Sequence, residues 1–326
     1  MKILVTGSAG HLGEVVVRKL RDRKHEAAGV DIVDTPFTSH VGSIVDRDFV
    51  ARCMKGVEAV VHAATLHKPH IATHARQDFV DTNISGTLNL LEEAQQAGVV
   101  SFIFTSTTSA FGRALTPPPN APAAWITEDV TPVPKNIYGV TKMAAENLCQ
   151  LFQQKFGMPC VILRTSRFFP EEDDSQSMRD DYDDKNAKAN EFLFRRVDIE
   201  DVVTAHLLAI ERAPSIGFGR YIISATTPFT PDDLIDLRGN APEAVRRHVD
   251  FEPEYARRGW NMFPSIDRVY VNDLARTELG WRPKYDFQTI LALLKADKDP
   301  RSPMAAEMGS KGYHARAFAD GPYPVE

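Results

Sequence analysis

The feature that most constrains this chain is the alternation of short apolar runs with longer amphipathic ones across its first 165 residues. "KILVT" (2–6) has the length and character of a buried strand, and "HLGEVVVRKLRDR" (11–23) places Leu12, Val15, Val16 and Leu20 on one helical face. "EAAGVD" closes a second strand at Asp31, and "VEAVVHAA" (57–64), "VSFIFTS" (100–106) and "PCVILRT" (159–165) supply three more. Between them lie two helical stretches, "NISGTLNLLEEAQQAG" with Gly98 as its stop and "YGVTKMAAENLCQLFQQKFG" (138–157) closed by Gly157. Such alternation implies right-handed crossovers and a parallel sheet covered on both faces, so the expected fold class is α/β and doubly wound.

After Arg164 the pattern changes. The acidic stretch "PEEDDSQSMRDDYDDKNAKANE" (170–191) has few apolar residues and reads as a loop or lid. Helix "DIEDVVTAHLLAIERA" (198–213) and strand "GRYIIS" (219–224) follow. The predicted organisation is a first domain over 1–165, a smaller C-terminal α/β lobe over 166–296 with some segments returning to the first sheet, and an extended arm over 297–326. A net charge of −6 gives no electrostatic reason to expect nucleic acid or an anionic membrane as partner. Three irregularly spaced cysteines fit a reducing compartment better than a disulfide framework. "MKILVTG" begins directly as a strand, and no apolar run approaches the roughly 18 residues of a membrane helix. A soluble, cytoplasmic protein is expected.

"TGSAGHLG" sets Gly7, Gly10 and Gly13 between the first strand and the first helix. Glycine there permits a tight turn and close approach of a pyrophosphate to the backbone, while the helix N-terminus offers free N–H groups and a positive dipole end. Asp31, 18 residues beyond Gly13 at the end of the next strand, can accept hydrogen bonds from ribose hydroxyls. Ile32 and Val33 follow it, with no adjacent arginine for a 2′-phosphate, which favours NAD over NADP. Downstream, "YGVTK" puts Tyr138 and Lys142 at i, i+4 on one helix face. An ammonium beside a phenol favours the phenolate, so Tyr138 could take a proton from a substrate hydroxyl.

These segments, with "VVHAAT", "DTNISGTLNLLEEA", "FIFTSTTSAFG", "FRRVDIEDVVTAHLLAIE" and "ARTELGWRPKY", resemble in sequence and order the extended short-chain dehydrogenase/reductases, the NAD-dependent epimerase/dehydratase family, to about residue 290. The resemblance implies a Rossmann-type sheet with a substrate-binding lobe. It implies that Gly7, Gly10 and Gly13, with His11 and Leu12 in the same loop, hold the pyrophosphate, and that Asp31 holds the adenosine ribose. Ala63, Ala64 and Thr65 would line the cofactor, with Asn83 in the helix beneath it and Thr105 at the strand end. Thr107 falls where the family has its substrate-hydroxyl-binding serine, next to Thr108. Tyr138 would be the acid/base, and Lys142 would also bind the nicotinamide ribose.

Departures from the family pattern bear on the substrate. The acid-aliphatic pair near the adenine is Ser43-Ile44 here. The Asp-Glu pair of the dehydratases is replaced by Thr108 and Ser109, which leaves elimination of water without a donor and a base. In "LRTSRFFPEED" Arg167 stands where many sugar-nucleotide enzymes have asparagine. Two readings of Arg167 stay open: a bidentate contact to an anionic substrate group, or an ion pair with an acid of the lid. Arg196 is the corresponding candidate before "VDIEDV".

The expected activity is therefore oxidation, reduction or epimerisation at a hydroxyl-bearing or keto carbon of a sugar or nucleotide sugar by an NAD-dependent homodimer. The alternatives are a dehydrogenase of a non-nucleotide, anionic hydroxy or keto substrate and a non-catalytic dinucleotide-binding regulator. One motif stands apart: "HAATLHKPHIATH" (62–74) carries four of the ten histidines. His62 closes a strand and reads as a satisfied buried ring. His67, His70 and His74 share a face if a helix starts near Pro69, with His67 a candidate substrate contact; the chemistry needs no metal.

Overall fold

A computed structural model of the chain describes residues 1–312. Its strands are β1 (Lys2–Thr6), β2 (Glu26–Asp31), β3 (His40–Val41), β4 (Ala59–His62), β5 (Ser101–Thr107), β6 (Ala124–Ile126), β7 (Cys160–Thr165), β8 (Phe218–Ile223) and β9 (Arg268–Tyr270). The helices that matter below are α1 (His11–Asp22), α2 (Arg47–Cys53), α3 (Arg76–Phe79), α4 (Gly86–Gln96), α5 (Ile137–Phe156), α6 (Gln176–Asp181), α7 (Asp184–Glu191) and α8 (Ile199–Ile216). Seven strands form one sheet in the order β3-β2-β1-β4-β5-β7-β8, and β1 pairs in parallel with both β2 and β4. This is the doubly wound, Rossmann-type α/β sheet expected from the strand–helix alternation. The strand order reverses between β1 and β4, which is where such sheets bind ligands, outside the carboxyl ends of the strands.

The chain divides into two compact units. The first comprises 1–110, 134–164 and 202–221, and the second comprises 111–133, 165–201 and 222–312 of the described residues. In the first, Leu4, Val60, Phe102, Phe104 and Ile162 of the sheet pack with Leu90, Leu91 and Ala94 of α4 and Ala145, Cys149 and Phe152 of α5. In the second, a core around Leu193, Phe194, Leu237, Val245, Phe263, Phe287 and Ile290 accompanies the short parallel pair β6–β9.

Two expectations are corrected in the second unit. The acidic stretch 170–191 is not a plain loop, because it contains α6 and α7. Asp183 caps α7 by accepting from the N–H groups of Lys185 and Asn186. The buried face of α7 is polar: Asn186 and Asn190 Nδ2 both donate to the Asn261 carbonyl, at 3.0 and 2.9 Å, and Tyr255 donates to Asn190 Oδ1 at 2.8 Å. A helix anchored by asparagines leaves no apolar stripe to read. Likewise the expected extended arm over 297–326 holds a helix at Pro303–Met308 with Ser302 as its cap. The remainder of that arm, 313–326, lies outside the described residues.

Beneath the first unit's sheet edge, Glu146 of α5 is fully buried and holds Arg164 bidentately at 2.8 and 3.1 Å, Arg220 at 3.3 Å and the Ser106 hydroxyl at 2.6 Å. Removing one partner of such a cluster strands the opposite charge away from water. Glu146→Ala should therefore cost about 3–5 kcal/mol, measured as a lowered urea midpoint with an unchanged slope.

Candidate active site

The glycine loop turns where only glycine fits. Gly7 has φ +75°, and a Cβ there would lie 2.8 Å from the Ala64 nitrogen. A Cβ on Gly13 would lie 2.0 Å from the Gly7 carbonyl oxygen, so α1 starts directly against the turn. His11 and Leu12 are buried in the first turn of α1. Asp31 crosses to this loop: its Oδ2 accepts from the Ala9 N–H at 2.9 Å and its Oδ1 from the Val33 N–H at 3.0 Å. A glycine-lined turn at a helix N-terminus, with a carboxylate at its rim, fits a dinucleotide pyrophosphate and ribose.

The floor of the site is wired by hydrogen bonds whose directions are determined. The Thr87 hydroxyl donates to the Asn83 carbonyl at 2.7 Å, so it accepts from His62 Nε2 at 2.9 Å. His62 Nδ1 then accepts from Thr6 Oγ1 at 2.8 Å, and Thr6 in turn accepts from the Ala64 N–H at 3.1 Å. His62 is thus a fully partnered buried ring, and burial holds its pKa well below the usual imidazole value. Asn83 sits in the π-helical turn Val80–Ser85. Its Oδ1 accepts from Thr65 Oγ1 and the Leu66 N–H, both at 2.8 Å, and its Nδ2 donates to Thr141 of α5 at 3.0 Å. The loop after β4 is therefore tied to the helix that carries Tyr138. Ile44 is buried against the space left by Gly86, and Ser43 Oγ accepts from the Val45 N–H.

Thr107, Tyr138 and Lys142 are brought together. Asn136 caps α5 through the Gly139 N–H, which sets Tyr138 in the first turn with Lys142 one turn on. Thr107 is hydrogen-bonded to the Tyr138 hydroxyl, and its own Oγ1 accepts from the Ser109 N–H at 3.1 Å. Burial raises the Tyr138 phenol to about 12, and the Thr107 hydrogen bond pulls against that rise. Lys142 Nζ donates to the Thr105 carbonyl at 2.6 Å and stands 4.0 Å above the centre of the Phe104 ring. Burial brings its pKa down to about 7, opposed by the carboxylate of Glu146. Thr108 is buried beside this group and Ser109 is exposed.

The histidine stretch forms a short 3₁₀ turn, Lys68–Ala72, with Pro69 in its first turn and His67 as its N-cap. The His67 N–H donates to His70 Nδ1 at 2.8 Å. The rings of His67 and His70 lie 6.0 Å apart and those of His70 and His74 5.2 Å, while His67 is 6.0 Å from the Tyr138 ring. Burial, with help from His70, Lys142 and His11, lowers His67 to about 3, so it is neutral at physiological pH. Among the described residues, no three His, Cys, Asp or Glu side chains are arranged to hold a metal ion.

Arg167 and Arg196 belong to the second unit, where their backbones bridge in parallel. Arg167 meets Asp173 at 2.8 Å, Asp174 at 3.7 Å and Glu191 at 3.8 Å. Arg196 meets Glu191 at 2.6 Å and donates to the Phe169 carbonyl, and Arg195 meets both Asp173 and Glu191. Burial would raise Glu191, but Arg195, Arg167 and Arg196 outweigh it and hold the carboxyl at about 2. Sequence reasoning missed Glu191 as the hub of this cluster and Glu146 as the anchor under Lys142. The second had a signal: Tyr138, Lys142 and Glu146 recur every four residues on one helix face.

A strand–turn–helix cradle with an acid at its rim and a threonine, tyrosine and lysine in one buried cluster defines a dinucleotide-dependent enzyme of the short-chain dehydrogenase/reductase class. The family model described as "NAD dependent epimerase/dehydratase family" matches residues 3–223. The chain belongs to this family, and NAD is the family's cofactor. It is 31% identical over 185 residues to an uncharacterized UDP-glucose epimerase of Bacillus subtilis, a match that spans 50% of this chain and 55% of that one. Against the UDP-glucose 4-epimerase of Streptomyces lividans it is 26% identical over 321 residues, which covers 86% and 91% of the two chains. Among solved structures it is similar in fold to a short-chain dehydrogenase/reductase superfamily protein of Agrobacterium tumefaciens with bound NAD, with a TM-score of 0.65 and 23% identity covering 91% and 98% of the chains. The UDP-glucose 4-epimerase of Thermotoga maritima gives a TM-score of 0.61 at 24% identity, covering 91% and 99%. Among the described residues no helix is long and apolar enough to cross a membrane.

The cradle can be tested by filling it. Gly13→Ala should weaken NAD binding at least about tenfold, or 1.4 kcal/mol, in a calorimetric titration of protein whose circular dichroism is unchanged. An unaltered affinity would remove the loop from the cofactor site.

Proposed function

We propose that the chain is an NAD-dependent epimerase of a nucleotide sugar that works through oxidation of a secondary hydroxyl, with Tyr138 as acid and base. The observation that carries this reading is the buried Thr107–Tyr138–Lys142 cluster in a member of this family. Support for epimerisation comes from two relatives matched over 91% and 93% of their length that are named UDP-glucose 4-epimerases.

Gly7, Gly10 and Gly13 with Asp31 would hold the dinucleotide. When bound, NAD would supply the hydride acceptor for oxidation of the hydroxyl-bearing carbon. The protein's own work is proton handling. Bringing a phenol from about 12 to near neutral pH takes about 7 kcal/mol of preferential phenolate stabilisation. The Lys142 ammonium and the Thr107 hydroxyl supply part of it at the tyrosine oxygen. Tyr138 then accepts the substrate proton while Thr107 hydrogen-bonds the same oxygen, and Tyr138 returns the proton when the alcohol re-forms. His67, neutral beside Tyr138, can donate or accept a hydrogen bond without disturbing the phenolate by its own charge. In the second unit the substrate's anionic groups would be met by Arg167 and Arg196, whose acidic partners leave the cluster with little net charge.

A dehydrogenase of an anionic hydroxy substrate shares the chemistry up to the ketone and differs in releasing the reduced cofactor. Incubation with NAD and a panel of nucleotide sugars, free sugars and uronates separates the two. Epimerisation gives isomer exchange without NADH absorbance, and dehydrogenation gives NADH build-up. Silence across the panel would sink both readings. Tyr138→Phe should lower turnover by about 10²–10⁴-fold while NAD binding is kept; full activity in that variant would point to a non-catalytic use of the fold.

We also propose a homodimer. Val140 and Leu151 of α5 are both about half exposed, an apolar presentation that suits a symmetric partner face. Light scattering at micromolar concentration should give twice the chain mass, and Val140→Glu with Leu151→Glu should halve it. A monomeric wild-type protein would remove the dimer.

A further inference from the structure

Three consecutive residues at the end of β5 are tied to helices by their side chains. Thr107 bonds Tyr138, and Ser106 Oγ donates to Glu146 at 2.6 Å. Thr105 Oγ1 lies 2.9 Å from Nε2 of His206 in α8. The register of β5 with β4 ends at Phe104, so these ties act just beyond it. The first two belong to the site already described, but the third joins Thr105 to a residue with no role in it.

His206 is fully buried, and its Nδ1 lies 2.8 Å from the Val202 carbonyl one turn earlier. A carbonyl only accepts, so Nδ1 carries the hydrogen and Nε2 of the neutral ring is an acceptor. The Thr105 hydroxyl must therefore donate to His206. Burial holds the ring down to about 4, so it stays neutral at physiological pH. The same Thr105 presents its main-chain carbonyl to Lys142 Nζ at 2.6 Å.

We propose that His206 is a positioning residue for the Lys142–Tyr138 couple, acting by anchoring Thr105 so that the Thr105 carbonyl stays on the lysine ammonium. An acceptor on the ammonium favours its charged form, and burial works against that form. If the carbonyl drifts, Lys142 loses its proton more readily and Tyr138 loses its cation. The other titratable groups facing Lys142 are Glu146 and Cys149 on α5, His62 at the end of β4 and His67 in the loop after β4. None of these touches His206 in the arrangement described, so a change at His206 reaches Lys142 through Thr105. A histidine that merely fills the core would stabilise the fold without moving Lys142.

Only the catalytic consequence rests on the function proposed above, because the positioning itself can be read without substrate. The pH titration of Lys142 would be followed by nuclear magnetic resonance in protein carrying lysine labelled with carbon-13 at Cε and free of nicotinamide, with Lys142→Met used to assign the signal. His206→Leu removes the acceptor, His206→Gln restores one, and Thr105→Val removes the hydroxyl but keeps the carbonyl. The Lys142 midpoint should fall by about 0.5–1 pH unit, the scale of one hydrogen bond, in both His206→Leu and Thr105→Val. The double variant should fall no further, and His206→Gln should return toward the wild type.

In turnover assays the acid limb of the kcat profile should move to higher pH by the same amount, with KM unchanged. An unmoved Lys142 midpoint in folded His206→Leu overturns the proposal. If that variant does not fold, an unmoved midpoint in Thr105→Val, which keeps the side-chain volume, overturns it equally. Absence of turnover on every substrate counts against the proposed function, and the titration still decides the role of His206.

Discussion

A lysine and a tyrosine buried one turn apart on the same helix must be held by their surroundings, and that demand organises much of the first unit. Lys142 is buried on the same face of α5 as Tyr138, Glu146 and Cys149. Its ammonium needs an acceptor, which the end of β5 provides through the Thr105 carbonyl. It also needs negative charge nearby, which Glu146 provides one turn along. Glu146 in turn is buried only because Arg164, Arg220 and Ser106 satisfy it. One buried lysine thus draws in β5, the end of β7 and the length of α5.

The two arginine-rich regions differ in what they leave over. Under α5, two guanidiniums share one carboxylate that also supports the lysine. In the second unit, Arg167, Arg195 and Arg196 face Glu191, Asp173 and Asp174, so each positive charge has a negative one within 4 Å. A guanidinium held in place by a carboxylate is already oriented and already desolvated. Any anionic group that reached these arginines would have to compete with the carboxylates for them.

How much of this was legible in the sequence depends on the kind of interaction. The sheet was legible because strands buried on both faces read as continuous apolar runs, and the cradle because Gly7 and Gly13 stand where a Cβ would strike backbone. Tyr138 and Lys142 were legible from helical spacing, and the family resemblance extended that reading to Thr107. The lid segment was misread because α7 buries Asn186 and Asn190 in place of aliphatic residues. Of the two readings offered for Arg167, the ion pair is the one seen: it meets Asp173, an acid of the following segment. His206 was invisible, because "TAHLLAIE" looks like an ordinary buried helix and its partner lies 101 residues away.

Two of the histidines held inside the first unit, His62 and His206, also make its stability depend on acid. His62 is kept neutral well below the usual imidazole range and His206 down to about 4, both first by burial. Once unfolded, each would take up a proton near its ordinary value of about 6.5. Stability contributed by these rings is therefore complete above that pH and is lost progressively as pH falls toward 4. Because His62 grips β1 and α4, and His206 grips the end of β5, protonation would loosen the sheet where the cofactor loop and the lysine's carbonyl are fixed. The fold would register mild acidification at this edge of the sheet.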